Sequence, residues 1–410
     1  MHTASAVMTV LVLFLGAVIA RYAWRYLRRD PGQRRFYGWL AAIVAAVCVL
    51  VNADDMRIMA LAWTVTSLCL HPLLLFYAER SNARLAAHKK FVLSRLADVC
   101  MFGCVSLVGH ELHTFSLTAL ASDMPRAPTL ALQCAAFLLV AVALLKTAQL
   151  PFHGWLMHVM EAPTPVSALL HAGVVNIAGY VVIRMSPLLE VVPRAQVLLV
   201  TCAGISAVMA AMVMSTKTSI KASLAWSTSA QLGFMLVQCG LGLYRFALFH
   251  LVAHSLYKAH AFLAAGSVRA LPRASPVSLW RLIAAIAPAA AMVPFSPMLA
   301  LILGMAAPVL ATLPLSVAYA YLALCGAVHA TVMEEPVLGT AAIVASMCSV
   351  VLALWQCAVS MRARWLKRLY PHALAGFYFD ALFTVALERL WPAPQLRAPL
   401  AHPSLQGDQK

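Results

Sequence analysis

Apolar runs long enough to cross a lipid bilayer follow one another along most of this chain, separated by short connections. Hydrophobic residues make up 63% of the 410 residues and charged residues 11%, which is typical of multi-span membrane proteins and not of soluble domains. A spanning backbone must satisfy its polar groups internally, because hydrocarbon offers no hydrogen-bond partners. The runs have the length of spanning helices, so they predict an all-α, polytopic integral membrane protein.

We predict about 13 transmembrane helices in one membrane domain over residues 1–360. Nine regular runs lie at 4–20, 38–53, 58–78, 96–118, 129–150, 165–187, 195–214, 221–243 and 246–268. Four further runs lie at 279–295, 297–313, 315–333 and 339–360. The stretch 279–333 is rich in Pro and Ala and could hold one pass or three, so its topology stays open.

The net charge of +16 comes from basic residues that we place in connections between runs. Such residues mark the cytoplasmic side of a membrane protein, so the charge does not indicate nucleic-acid binding. The basic clusters lie at 21–35, 80–95, 217–221, 269–273 and 362–368, and the predicted spans place all of them on one side. We therefore predict a multi-pass protein of the bacterial cell inner membrane, with a periplasmic N-terminus and a cytoplasmic C-terminus.

Two segments follow the membrane domain. Residues 361–391 are basic and aromatic, as expected of a cytoplasmic amphipathic segment on a membrane surface. Residues 392–410 are polar and rich in Pro, which predicts a disordered tail.

An interrupted helix beside buried ionisable groups is the main functional signal. Lys146 ends an apolar run, Pro151 breaks the helix, and a second helix opens after Pro163 and Pro165 and carries His171. Ionisable groups at bilayer depth are expensive, and transporters often build ion sites at such breaks. We therefore expect Lys146 and His171 to line one water-accessible cavity; the alternative is a lysine that extends to the interface.

Three ionisable residues recur on one helix face. His250, His254 and Lys258 have i, i+4 and i+8 spacing, which aligns them along one side of a helix. Two imidazoles and an amine in single file suit a proton relay, since histidine titrates near neutrality and a desolvated lysine can lose its proton. The alternative is that each histidine stays neutral and bonds a neighbouring helix.

Three more charged residues are candidates for the ion pathway, each with a simpler alternative. Asp98 could pair with Lys146 across the bundle or with Arg95 on its own helix. Lys221 could be a relay stop or a cytoplasmic anchor. Glu161, just before the proline-rich break, could be an entry carboxylate or a charge at a helix end.

The sequence predicts neither a metal site nor a cofactor site. The ten cysteines are scattered without a C-x-x-C spacing, and residues 110–113 (HELH) lack the H-E-x-x-H spacing and a third ligand. No Gly-rich dinucleotide loop and no cysteine set suited to an iron–sulfur cluster is evident.

Four blocks of the chain resemble the proton-antiporter family, which includes subunit L of respiratory complex I. These blocks are KTAQLP at 146–151, PTPVSALLH at 163–171, AWSTSAQLG at 225–233 and H-x3-H-x3-K at 250–258. The similar core covers residues 60–270. The resemblance implies an antiporter-like bundle with a broken helix near Lys146–Pro151.

Other blocks resemble the DabB branch of this family, the membrane subunits of inorganic-carbon accumulation complexes. They are HAGVVN at 171–176, CGLG at 239–242, HSLYKAH at 254–260 and GFYFDALF at 376–383. The resemblance implies a transporter subunit whose ion flow drives hydration of CO2 to bicarbonate by a peripheral, zinc-containing DabA-like partner. It leaves H⁺ and Na⁺ open, with H⁺ expected. Candidate docking residues on the cytoplasmic face are Gly376, Tyr378, Asp380 and Phe383.

The chain departs from the antiporter pattern in two places that bear on mechanism. Thr64 follows Trp63 where complex I subunits carry glutamate, and no lysine occurs from residue 259 to 366. One pathway around Lys146, with Asp98 as counter-ion, therefore fits better than two half-channels. The alternatives are an antiporter-like subunit of an NADH-quinone oxidoreductase or related complex, or a structural anchor for a peripheral enzyme.

Overall fold

The computed structural model describes residues 2–265 and 366–391, together with the isolated positions 344, 347, 348, 351 and 355. Apart from those positions, the four runs predicted between 279 and 360 lie outside the described residues, as does the tail from residue 392. The regular elements of the described residues are helices, joined at one point by an isolated bridge between Asp55 and Ser116.

The nine regular apolar runs each correspond to a helix or a pair of helices. The corresponding elements are α1 (His2–Tyr26), α2 (Gln33–Asn52), α3 (Met56–Leu74), α4 (Ser81–Leu112), α6 (Leu130–Lys146), α8 (Thr164–Ala172) continued by α9 (Ile177–Arg184), α11 (Pro193–Met214), α12 (Ile220–Gly240) and α13 (Tyr244–Ala265). Short helices between them are α5 (Leu120–Asp123), α7 (Gly154–His158) and α10 (Ser186–Glu190). Six helical stretches of the described residues are long and apolar enough to cross a membrane, and α6 is a shorter apolar helix.

Helix α4 corrects one prediction. Residues 80–95 were predicted to be a cytoplasmic loop, but α4 begins at Ser81 and runs for 32 residues. Ala, Leu, Arg and Lys are good helix formers, and the buried positions recur every three or four residues from Ala83 onward. Lys89 and Lys90 are therefore buried, and Asp98 lies in the middle of the helix and not at its start.

The basic connections meet at one end of the bundle. Tyr77, after α3, donates a hydrogen bond to Asp30 in the α1–α2 connection at 3.2 Å. Lys217, between α11 and α12, donates to the carbonyl of Leu374 at 2.7 Å, so the C-terminal segment lies at the end where α12 begins. Residues 269–273 and 362–365 lie outside the described residues, so the placement of all five basic clusters on one side stays a prediction.

The break after α6 is closed by hydroxyl groups from two neighbouring helices. The backbone after Lys146 leaves the helix at Ala148, which has a positive φ of 51°. Ser229 of α12 donates to the carbonyl of Ala148 at 2.8 Å, and Ser206 of α11 accepts from the N–H of Leu150 at 2.9 Å. Backbone groups freed inside a membrane protein need such partners. We call residues 147–153 the break segment.

Gly233 lets the break segment lie against α11 and α12. A Cβ atom at this position would lie 2.7 Å from Oε1 of Gln149 and 2.8 Å from the carbonyl oxygen of Ala203. Both distances are shorter than real Cβ contacts, so a side chain here would push the break segment and α11 away from α12.

Two helices form the described C-terminal segment. They are α14 (Leu366–Leu374) and α15 (Phe379–Leu390), joined by a 3-10 turn over Gly376–Tyr378. Gly376 adopts a positive φ of 66°, which favours glycine, and a Cβ there would lie 3.3 Å from the ring of Trp226 in α12. The turn therefore seats the segment closely on the bundle.

Candidate ion pathway

Asp98 contacts a lysine, an arginine and a tryptophan inside the bundle. Its Oδ2 lies 2.7 Å from Nη2 of Arg95, one turn earlier on α4, and its Oδ1 accepts from Nε1 of Trp63 at 3.0 Å. Nζ of Lys146 lies 3.8 Å from Oδ1 and 4.6 Å from the Trp63 ring centroid. Both partners considered for Asp98 therefore contact it, and Arg95 is the closer. We call these four residues the Asp98 cluster.

Trp63, and not Thr64, faces Lys146. Thr64 donates its hydroxyl to the carbonyl of Ala60 in its own helix at 3.1 Å. The carboxylate that neutralises Lys146 thus comes from Asp98 on α4, while Trp63 on α3 holds that carboxylate in place.

A small cavity lies beside the Asp98 cluster. Its volume is about 20 Å³, enough for about one water molecule, and its lining includes Ser67, Lys90, Ser94, Lys146 and Trp155. His171 does not line this cavity, so a cavity shared by Lys146 and His171 stays a prediction. The polar groups that join Lys146 at the cavity come from α3 and α4.

Lys90 is the residue of this site that sequence reasoning missed. Its Nζ donates to both the carbonyl oxygen and, at 3.0 Å, the hydroxyl of Ser67, which also accepts from Arg95 at 3.3 Å. The positive-inside rule counts Lys90 as a cytoplasmic charge, because it weighs charge and not burial. Extending the helical periodicity of α4 back to Ser81 would have placed it on the buried face.

His171 is completely buried between α12 and α13. Its Nδ1 is hydrogen-bonded with the hydroxyl of Thr228 at 3.1 Å, and its ring stacks on Phe262 with centroids 4.3 Å apart. Its Nε2 has no partner among the described protein atoms. A buried imidazole with one free nitrogen can accept or donate a proton if a water or a side chain reaches it.

The predicted trio on α13 faces α12, and each member has a partner there. His250 is hydrogen-bonded with Gln238 at 3.1 Å, His254 with Gln231 at 2.8 Å, and Lys258 donates to the carbonyl of Leu224 at 3.1 Å. The two imidazole centroids lie 6.1 Å apart. The side chains point into the bundle, and the hydrogen bonds of the simpler alternative are also present.

The backbone carbonyl of Leu224 lies between Lys258 of the trio and the hydrogen-bond partner of His171. The Leu224 oxygen accepts both from Lys258 and from the hydroxyl of Thr228 at 2.9 Å, and Thr228 reaches His171. Lys221 is half-buried in the first turn of α12, three residues before Leu224. Among the described residues, no hydrogen bond joins His171 to Lys146.

Glu161 ends a 3-10 turn over Val159–Glu161, between α7 and α8. Its side chain lies outside the described part of the structure. Within residues 2–265 and 366–391, no group of three or more His, Cys, Asp or Glu side chains could hold a metal ion.

Asp380 of α15 closes over the short helix that follows the break segment. Lys89 donates to its Oδ1 at 2.7 Å, and His158 of α7 donates to its Oδ2 at 3.0 Å. A Cβ at Gly154 would lie 1.4 Å from Oδ1, so only glycine leaves room for this carboxylate. Lys89, His158 and Asp380 form the Asp380 cluster, which ties α4, α7 and α15 together.

Three of the four predicted docking residues face the chain itself. Asp380 belongs to its cluster, Gly376 packs beside Trp226, and Phe383 meets the Phe152 ring edge to face at 5.7 Å. Tyr378 is 49% exposed. The motif at 376–383 therefore attaches the C-terminal helices to the rest of the chain. Of the four predicted docking residues, Tyr378 is the one whose side chain a partner can reach.

Burial raises the pKa of the Asp380 carboxyl, but hydrogen bonds from His158 and Lys89 outweigh it and lower that pKa to about 2. A carboxyl whose folded-state pKa lies below its ordinary value stabilises the fold above that ordinary value. This contribution is lost as the pH falls from about 3.8 toward about 2.

Comparison with known proteins agrees with this architecture. Residues 53–357 match the family described as "NADH:quinone oxidoreductase/Mrp antiporter, TM". Residues 2–37 match the family described as "NADH-Ubiquinone oxidoreductase (complex I), chain 5 N-terminus".

Similar proteins come from carbon transport and from respiration. A "Probable inorganic carbon transporter subunit DabB" from Hydrogenovibrio crunogenus is 46% identical over 266 residues, covering 64% of this chain and 51% of that protein. The NADH-quinone oxidoreductase subunit L of Mycobacterium tuberculosis is 34% identical over 262 residues, covering 63% of this chain and 41% of that protein. This chain thus spans about half the length of these relatives or less.

A solved structure shares the fold over almost the whole chain. A chain of the Mrp complex from Dietzia sp. superposes with a TM-score of 0.68 at 26% sequence identity. The superposition covers 94% of this chain and 51% of that one.

We predict that Asp380→Asn weakens the attachment of α14 and α15 to the bundle. The amide cannot pair ionically with Lys89, and losing hydrogen bonds to a charged group costs about 1–3 kcal/mol. The measurement is the rate of limited proteolysis within residues 366–391 of the detergent-solubilised protein. Glu388→Gln, which removes one exposed carboxylate from the same helix, should leave that rate unchanged. Equal rates for both variants would contradict a role for the Asp380 cluster.

Proposed function

Because this chain belongs to the NADH:quinone oxidoreductase/Mrp antiporter family of membrane subunits, we propose that it is the ion-conducting subunit of an inorganic-carbon pump. The observation that carries the proposal is a half-buried lysine at a helix break, 3.8 Å from the carboxylate of Asp98. The 46% identity to a protein named as a carbon transporter subunit favours this role over a respiratory one at 34%.

Lys146 is the group that takes up and releases the ion, and the ion is a proton. A lysine amine can exchange a proton with a cavity water, whereas the Arg95 guanidinium keeps its charge. Asp98 stabilises the ammonium form, and because it is shared with Arg95, that stabilisation is partial. A partly neutralised ammonium binds its proton without holding it permanently, as a transport site requires.

A lateral relay extends from the trio on α13. Protons pass along His250, His254 and Lys258, and a water between Lys258 and His171 carries them onward, because the Leu224 carbonyl accepts from both Lys258 and Thr228 and has no proton to pass. The aligned spacing supports this route, and the shared carbonyl places Lys258 beside Thr228, which is hydrogen-bonded with His171. Water between His171 and Lys146 completes it, because neither residue contacts the other directly. In this proposal Lys221 is a further relay stop and Glu161 is an entry carboxylate.

The proton current drives hydration of CO2 to bicarbonate by a peripheral, zinc-containing DabA-like protein on the cytoplasmic face. The chain itself is a transporter subunit of the bacterial inner membrane, with a periplasmic N-terminus. The partner binds beside the exposed apolar side chains of the C-terminal helices, which include Tyr378 and Leu382.

Lys146→Ala should abolish CO2-dependent rescue when the chain and its partner are expressed in a host that lacks carbonic anhydrase. Removing the amine removes the proton site, so growth in air should be lost while the amount of protein in the membrane is unchanged. Arg194→Ala removes an exposed basic side chain in the first turn of α11 and should retain rescue. Full rescue by well-expressed Lys146→Ala would end the assignment of this lysine as the ion site.

His254→Phe should lower proton flux into vesicles by about 100-fold or more, since phenylalanine cannot carry a proton at this step of the relay. The readout is quenching of a pH-sensitive dye in vesicles that contain the full complex. His260→Phe makes the same change at an exposed position two residues beyond Lys258 and should leave flux unchanged. Comparable flux in the two variants would favour the simpler alternative of neutral, structural histidines.

An affinity tag on the full chain should co-purify a DabA-like protein that contains zinc. The double variant Tyr378→Ser/Leu382→Ser should reduce its recovery, because it removes exposed apolar area from the docking face. Lys146→Ala should keep the partner, which separates docking from transport. Recovery of complex I subunits instead would identify the chain as a respiratory subunit.

A further inference from the structure

Helix α4 brings a second lysine, which is buried, to the cavity that Lys146 lines. Lys90 is 4% exposed, and both lysines line the same cavity of about 20 Å³. The nearest groups that hold the Lys90 ammonium are the two oxygens of Ser67, and neither carries a charge.

Lys90 is joined to Lys146 by a continuous set of polar contacts. Ser67 contacts both Lys90 and Arg95, Arg95 pairs with Asp98, and Asp98 lies 3.8 Å from Lys146. This set contains three basic groups and one carboxylate. Helix α3 adds Cys69 and His71 near Lys90, and its sequence contains no carboxylate.

A buried charge without a counter-ion is costly, so this excess of positive charge must be relieved. Arg95 keeps its proton and uses the Asp98 carboxylate at 2.7 Å. Lys90 and Lys146 are the groups that can lose a proton. Lys89, the preceding residue, is equally buried but has its own carboxylate in Asp380, so it does not compete for Asp98.

We infer that Lys90 is a second proton site, which exchanges a single proton with Lys146 across the cavity. The Lys90 ammonium gives a proton to a cavity water, and that water gives one of its protons to the neutral Lys146 amine. Lys90 becomes a neutral amine, Lys146 becomes an ammonium, and the water and the net charge are unchanged.

Lys90 lies eight residues before Asp98, which is about 12 Å closer to the start of α4. In the proposed topology this is the cytoplasmic end, so Lys90 is the group that exchanges protons with the cytoplasm. The inference rests on the proposed proton conduction and adds a specific entry residue to it.

Three substitutions at this position separate the possible roles of Lys90. Lys90→Gln keeps a donor for Ser67 without a charge, Lys90→Arg keeps the charge without a releasable proton, and Lys90→His restores a group that titrates near neutrality. Proton flux is measured with a pH-sensitive dye in vesicles that contain the full chain and its partner, at equal amounts of folded protein.

Flux should fall about 100-fold or more in both Lys90→Gln and Lys90→Arg, the lower range for removing a positioned proton carrier, and recover to within about 10-fold in Lys90→His. Arg84→Gln is the control on the same helix and should keep normal flux, because Arg84 does not line the cavity and its guanidinium donates to the carbonyls of Ala78 and Glu79. If one variant does not accumulate, the remaining two still decide between a structural and a proton-carrying role.

Normal flux in Lys90→Arg would overturn the inference, because a fixed charge would then suffice, and so would normal flux in Lys90→Gln. Lys146→Ala is measured alongside. If Lys146→Ala loses flux while the Lys90 variants keep normal flux, Lys90 is not the entry residue and the proposed function stands. If Lys146→Ala keeps normal flux, the proposed function itself is rejected.

Discussion

The absence of water from the membrane interior is the constraint on which the rest of this structure depends. A helix that ends inside the bundle exposes backbone groups, and each of them needs a partner from the protein. The break after Lys146 is possible because Ser206 and Ser229 bond the freed backbone, and because Gly233 lets it lie against α11 and α12. The break segment thus ends the apolar helix inside the bundle and places the Lys146 ammonium there.

The same constraint controls the charges. The Asp98 carboxylate is shared between Arg95 and Lys146, and Trp63 donates a hydrogen bond to it. Within the Asp98 cluster, neither basic side chain therefore has a carboxylate of its own. Lys89 shows the contrast: with Asp380 as a dedicated partner, it serves attachment. A lysine with a full counter-ion is structural, whereas a lysine with a partial one can change its protonation state.

The C-terminal helices are attached to the part of the bundle that follows the break. Asp380 contacts His158 of α7, and Phe383 contacts Phe152 of the break segment. A displacement of the break segment would therefore also shift α15, because the two are in contact. This contact gives the membrane site and the face proposed for the partner a short mechanical connection.

The sequence by itself determined the helices, since apolar run length and proline positions predicted the nine regular spans, the break after Lys146 and the aligned trio. It also indicated the family, through blocks whose spacing is local. The tertiary structure alone decided which charges are buried. The charge rule placed Lys89 and Lys90 in a loop because it does not consider which helix face packs inward. Likewise, the motif at 376–383 did not show that Gly376, Asp380 and Phe383 face the chain itself. Pairing between residues more than two hundred positions apart, such as His158 and Asp380, follows from packing that no local pattern records.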